Sequence, residues 1–274
     1  MRVRILNFRA VEEATLELGK TILFGPNGGG KSSIMRAVAL LLQGGEVARD
    51  DVGWGTDDAL VESDRGWRLV IPGRLRRRPR PPGEPALTEV APGRFSPPWI
   101  PQAPAVLWAG EYLTVDDGAA HATKRLEEAL SGELLERIEQ AAPSILGPAF
   151  GGLAAVRDGL AVKWEGRWMP FRSLSAGFRR ALELAASAES AALAKEALGK
   201  DVLLLIEDFE SSLYYDLALN LLERLAKSPV MVIAELRTRF ALRGALRAGW
   251  RAYYVEGRTK EVRQEEDLPK LEYE

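Results

Sequence analysis

The sequence predicts an α/β fold: a mainly parallel sheet, an antiparallel strand pair at the N-terminus and a second, smaller lobe. Three observations carry this expectation. The run 202–206 (VLLLI) is wholly apolar, as in a strand buried on both faces of a parallel sheet. From residue 175 to residue 255 strand-like and helix-like segments alternate, the order that right-handed crossovers require. A short apolar segment at 21–24 passes through a glycine-rich stretch straight into a breaker-free helical segment at 34–43.

Taken in order, residues 2–8 and 13–18 alternate apolar and polar with period two, which predicts the antiparallel pair. Between residues 72 and 104 lie ten of the 16 prolines, together with Arg74, Arg76, Arg77, Arg78 and Arg80; that density excludes a regular core element and reads as an extended surface insertion. Residues 105–108 form a strand. An amphipathic helix at 124–141, with Leu126, Leu130, Leu134 and Ile138 on one stripe, is too short for a coiled-coil arm. Segments 153–157, 160–164 and 167–171 are joined by Asp158-Gly159 and Glu165-Gly166, dipeptides that favour tight hairpins, so they form a three-stranded meander. Helix 175–198, strand 202–206, helix 215–226, strand 230–234, helix 237–248 and strand 251–255 complete the chain. The expected organisation is one domain, residues 1–274, with a first lobe at about 1–43 and 199–274 and a middle insertion and second lobe at about 44–198.

Composition narrows the chemistry. Of 274 residues 46% are hydrophobic, enough for a full core, which excludes disorder as the main state. The 37 basic and 39 acidic residues nearly cancel, so any nucleic-acid contact has to be local. There is no cysteine and one histidine, His121, which excludes disulfides, thiol catalysis, Cys-ligated metals and a His-based triad. No apolar run approaches the roughly 18 to 20 residues of a membrane span, and the N-terminus has no apolar signal core, so the expectation is a cytoplasmic protein without membrane insertion. The 28 arginines outnumber 9 lysines and thermolabile side chains are scarce, which points to a thermophilic source or to GC-rich coding.

Residues 25–32, GPNGGGKS, fit G-x-x-x-x-G-K-[ST], with a strand before and a helix after as the motif demands. The glycines let the backbone curl so that N–H groups of Asn27, Gly28, Gly29, Gly30 and Ser33 face a phosphate chain. Lys31 neutralises the β and γ charges, and the Ser32 hydroxyl serves Mg²⁺. Such a loop needs an acidic residue at the end of a neighbouring buried strand, and Glu207 and Asp208 follow the 202–206 run directly. Glu207 is assigned to Mg²⁺ and Asp208 to the attacking water. The expected ligand is therefore a nucleoside polyphosphate with Mg²⁺, which the resemblance below makes ATP.

GPNGGGKSS, then Leu174-Ser175-Ala176-Gly177-Phe178 at the head of a helix, then IEDFESSLYYD, resembles the ABC-type ATPases. The resemblance is to their SMC/RecF/OLD-like branch, in which an E-x-x-L step, here Glu210 and Leu213, follows the acidic end of the buried strand; it covers about residues 1–43 and 170–256. It implies that Ser175 and Gly177 contact the γ-phosphate held by a second subunit, so that the complete site forms in an ATP-dependent homodimer, and that the process served is DNA-associated or defensive. Serine at a helix start is also an ordinary N-cap. Asn7-Phe8-Arg9 matches the NFR step of that branch, which implies that Arg9 approaches the nucleotide; a solvated strand-end charge is the other reading. The sequence departs from the family in two places. Glu precedes Asp where Asp then Glu is usual, and Glu235 stands where many members carry a switch histidine. A carboxylate there repels a γ-phosphate unless a cation such as Arg237 intervenes, so the chain is either an ATPase or a nucleotide-gated binding subunit with little turnover. The ATP-binding subunit of a transporter is a further alternative. Gln102 is the candidate for a Q-loop glutamine. The arginines at 74–80 either grip nucleic-acid phosphate or form a solvated loop, which leaves DNA or a protein as the partner to test.

Overall fold

The structure is a computed structural model and describes residues 1–72, 88–91, 94–96, 103–109, 132–156 and 159–269. The arginines at 74–80, Gln102, His121 and residues 124–131 of the expected helix lie outside the described residues.

Ten strands form one sheet. In chain order they are β1 (Arg2–Phe8), β2 (Val11–Glu17), β3 (Lys20–Phe24), β4 (Asp58–Ser63), β5 (Arg68–Pro72), β8 (Ala105–Trp108), β12 (Val202–Ile206), β13 (Met231–Leu236), β14 (Arg251–Glu256) and β15 (Arg258–Val262). The spatial order is β5-β4-β1-β2-β15-β14-β3-β13-β12-β8. Strands β14, β3, β13, β12 and β8 pair in parallel, whereas β2, β1, β4 and β5 pair antiparallel. A short pair, β6 (Thr88–Ala91) and β7 (Arg94–Ser96), and a meander of β9 (Phe150–Val156), β10 (Gly159–Trp164) and β11 (Arg167–Pro170) stand apart from it.

Both faces of the parallel block are covered, and the alternation along each strand shows how. Val202, Leu204 and Ile206 enter one core, while Leu203 and Leu205 enter the other. The second core also takes Ile34, Met35, Val38, Leu41 and Leu42, the apolar stripe of α1 (Lys31–Gln43). Helices α2 (Gly132–Leu146), α3 (Ala176–Leu198), α4 (Tyr215–Lys227) and α5 (Arg239–Arg247) and the meander contribute to the first core. The Glu165-Gly166 turn has φ of 47° and 79°, the positive values that a two-residue hairpin needs. Its Trp164 ring packs on Phe178, 4.4 Å between centroids, which seats the meander on the first turn of α3.

Three strands of the sheet were not expected. β4 and β5 fall inside the 44–198 region yet extend the antiparallel end of the sheet, burying Ala59, Val61, Leu69 and Ile71. β15 buries only Val262, so it carries no apolar pattern to read. Among the described residues the expected helix at 124–141 begins at Gly132 and runs on to Leu146 through Pro143. Strand β13 also continues past the expected 234 to Leu236, and α5 begins at Arg239 with Thr238 as its N-cap. Glu235 looks like a strand stop in sequence because a buried carboxylate is costly; inside the sheet it has a partner, described next.

Candidate active site

The loop between β3 and α1 is shaped by close approach. A Cβ on Gly25 would lie 2.3 Å from the Val255 carbonyl oxygen of β14, so only glycine fits there. Gly29 is buried against the same carbonyl, and its own carbonyl accepts from Gly257 N–H at 2.9 Å. Gly30 is the N-cap of α1 with φ of 107°, and no side chain caps the helix; the Ile34 N–H is the first to bond back, at 2.9 Å to Gly30. The amides of Lys31, Ser32 and Ser33 are thus left at a positive helix end, with no acidic residue in the first turn to compete for them.

These groups open onto a cavity of about 320 Å³ lined by Ala10, Asn27, Gly28, Gly30, Lys31, Ser32, Ser33, Glu207, Asp208, Glu235 and Arg237. Here the geometry brings together what the sequence placed 175 residues apart. Because β13 lies between β3 and β12 in the sheet, residues at the carboxyl ends of all three strands face one another. Ser32 and Glu207 both line the cavity and both carry hard oxygen donors. That donor set suits Mg²⁺, which is commonly held by one or two side chains plus substrate phosphate. Among the described residues no cluster of three or more His, Cys, Asp or Glu forms a self-sufficient metal site.

Lys31 is buried, with 3% of its side chain exposed. Its ammonium donates to the carbonyls of Gly25 at 2.8 Å and Pro26 at 2.7 Å and lies 3.5 Å from Glu235 Oε1. Glu235 is on the same side of β13 as Ile233, the side that faces α1, which is why it meets the lysine. Asp208 sits in the turn after β12 with φ of 47° and its side chain half exposed. Arg237 hydrogen-bonds Asp208 and lies 4.0 Å from Glu235 Oε1. The backbone N–H groups of Arg237 and Thr238 donate to Glu210 Oε2 at 2.5 and 3.0 Å, and the Thr238 hydroxyl donates to Glu210 Oε1. Glu210 thereby ties the turn after β12 to the turn after β13.

The other expected site residues lie elsewhere. Arg9 (φ 51°) donates to Asp51 Oδ1 at 2.7 Å and lines a second concavity of about 610 Å³ with Arg49, Trp54 and Thr56; its neighbour Ala10 reaches the first cavity. Asp51 has no exposed surface and also accepts from Arg36 at 2.8 and 3.1 Å and from Ala48 N–H at 2.8 Å. Burial raises its carboxyl pKa, but the bonds from Arg36, Ala48 and Arg9 outweigh burial and hold it below 3.8. Ser175 caps α3, its Oγ accepting from Phe178 N–H at 3.4 Å, and is exposed outside the cavity. Gly177 is buried where a Cβ would lie 2.8 Å from the Ser212 carbonyl and 2.9 Å from the Tyr214 ring, so the head of α3 packs on the loop that follows β12. Sequence reasoning missed Glu210 as a clamp and Trp54 as a fully exposed aromatic; the isolated tryptophan in Gly53-Trp54-Gly55 was the available signal.

No helix among the described residues is long and apolar enough to cross a membrane. A family model described as AAA domain matches residues 2–66. No curated protein sequence matches the chain. Among solved structures, the SMC head domain from Thermotoga maritima is similar with a TM-score of 0.56 at 16% identity, covering 95% of this chain and 97% of that one. The SmcHead bound to the C-winged helix domain of ScpA gives 0.59 at 14% identity, covering 95% and 96%. The recombination mediator protein RecF with ATPrS gives 0.50 at 11% identity, covering 95% and 97%. With its glycine loop and acidic strand end lining one cavity, the chain has the fold shared by SMC heads and RecF.

Proposed function

We propose that the chain binds MgATP in this cavity and hydrolyses it, and that two copies associate around two nucleotides. The observation that carries the reading is the convergence of Lys31, Ser32, Glu207 and Asp208 on one cavity at the carboxyl edge of the parallel strands. The α1 amides and Lys31 hold the β- and γ-phosphates, which must draw the lysine away from Gly25, Pro26 and Glu235. Ser32 and Glu207 hold Mg²⁺, which supplies charge neutralisation across the phosphates. Asp208 orients the attacking water and accepts its proton. Ser175, exposed, and Gly177, buried against the loop after β12, stand at the positive end of α3 and are assigned to the γ-phosphate of the partner copy. The RecF structure with a bound ATP analogue supports the ligand, and the SMC head bound to ScpA supports a protein partner as the thing the nucleotide state controls.

Steady-state ATPase of the full chain, with and without DNA, tests the reading alongside light scattering of Asp208→Asn with MgATP or MgADP. Turnover and ATP-specific self-association are expected, and DNA stimulation marks a DNA-associated role. A chain that binds no nucleotide overturns it; a monomer with ATP at concentrations well above micromolar leaves a self-contained P-loop NTPase. A second reading, a binding subunit with little turnover, is favoured by one observation: Glu235 occupies the lysine that the phosphates need. Tight binding with negligible hydrolysis selects it.

A further inference from the structure

We propose that Arg237 is the residue by which this chain distinguishes ATP from ADP, because Asp208 and a γ-phosphate compete for its one guanidinium. The inference rests on the nucleotide reading above and adds the group that meets the third phosphate.

Four features converge on Arg237. Its backbone is fixed: it is the first residue beyond β13, and Glu210 holds its N–H at 2.5 Å. Its side chain is 52% exposed, so the head can move while the root cannot. The guanidinium lines the same cavity as Lys31 and Ser32, hydrogen-bonded to Asp208 and 4.0 Å from Glu235. Finally, the other cationic side chain of the cavity is already engaged. Lys31, the other cation of the cavity, is 3.5 Å from a carboxylate that is 7% exposed, so much of its charge is already answered inside the protein. Beside Mg²⁺, Arg237 is the second cationic side chain that lines the cavity among the described residues.

The two acceptors are unequal. Asp208 offers one carboxylate charge in a half-exposed pair, which solvent weakens. A γ-phosphate offers three oxygens and more charge to a planar fork built for such acceptors. Transfer of the guanidinium to the γ-phosphate leaves the Asp208 carboxylate available to a water in line with that phosphate, so the proton acceptor is delivered only with the substrate that requires it. ADP has no γ-phosphate to draw Arg237 off Asp208. Glu235 keeps the guanidinium near the cavity throughout, as a positioning residue.

The test is titration of the full chain with mant-ATP and mant-ADP in the presence of Mg²⁺, with steady-state turnover measured in parallel, for the parent, Arg237→Ala and Arg237→Lys. The parent is expected to prefer ATP. Arg237→Ala is expected to weaken ATP by on the order of tenfold or more while ADP changes less than about twofold, the loss of one charge-assisted contact confined to the γ-phosphate. Its turnover should fall by about 10²- to 10³-fold. Arg237→Lys should restore part of the ATP preference and little of the rate, since an ammonium keeps the charge and loses the fork. Equal losses for ATP and ADP, or an Arg237→Ala variant with the parent's preference and rate, overturn the inference and leave the nucleotide reading standing. A parent that binds neither nucleotide overturns both.

Discussion

Two ion pairs at the same cavity differ in almost every physical respect. Lys31 and Glu235 are 3% and 7% exposed, whereas Arg237 and Asp208 are 52% and 53% exposed. A buried pair has already lost its water, so removing one partner strands a desolvated charge. An exposed pair exchanges one favourable environment for another when it breaks. The buried pair therefore resists opening unless a phosphate takes the lysine, and the exposed pair is the more readily broken of the two.

The largest effect should come from breaking the buried pair. Lys31→Ala is expected to abolish nucleotide binding and to destabilise the fold by about 3–5 kcal/mol, because Glu235 is left without its cation. Lys31→Ala combined with Glu235→Ala should recover most of the stability and none of the binding. Denaturant unfolding with mant-ATP titration of both variants checks this; a single variant as stable as the parent would remove the distinction between the pairs. Asp208→Asn should behave oppositely, losing about 10²- to 10⁴-fold in turnover while stability changes by less than about 1 kcal/mol. If Glu207→Gln stalls turnover with ATP binding intact and Asp208→Asn does not, the roles given to the two carboxylates are reversed.

The same contrast explains what was legible in the sequence. The glycine loop, the 202–206 strand and the carboxylates behind it follow local rules: sterics that admit only glycine at Gly25, burial on both faces, a positive helix end. Each is written within ten residues of chain. The Lys31–Glu235 contact joins the first residue of α1 to β13 because β13 pairs with β3, a register that no local pattern encodes, and so Glu235 could be read as the end of a strand. The Glu210 clamp was hidden likewise, since its carboxylate serves backbone amides, and amides leave no signature in side-chain identity. β15 was illegible because only one of its five side chains, Val262, is buried.

Glu235→Gln sharpens the comparison at intermediate cost. It keeps the shape of the buried side chain and removes the charge that competes with phosphate for Lys31. ATP and ADP should both bind several-fold more tightly, since Lys31 serves the β-phosphate that both nucleotides carry. An affinity gain for ATP alone would place the effect of Glu235 on Arg237 rather than on Lys31.

The smallest effect concerns a third arrangement, a fully buried carboxylate served by partly exposed guanidiniums. Asp51 accepts from Arg36, Arg9 and the Ala48 N–H and thereby ties the β1–β2 turn to the segment after α1. Burial raises its pKa, the three donors outweigh burial, and the folded value lies below 3.8. The sign follows from the folded value being the lower one. The unfolded chain binds the proton more readily, so the stabilisation is fully present above the unfolded pKa and is lost as pH falls through the folded one. Asp51→Asn cannot ionise and should lack this dependence. The difference in unfolding midpoint between parent and variant should then be constant from about pH 5 to 8 and shrink once the pH drops below 3.8. A difference that persists unchanged through the acid range would mean that the Asp51 charge contributes nothing, and that its hydrogen-bonding shape alone anchors the turn beside the nucleotide cavity.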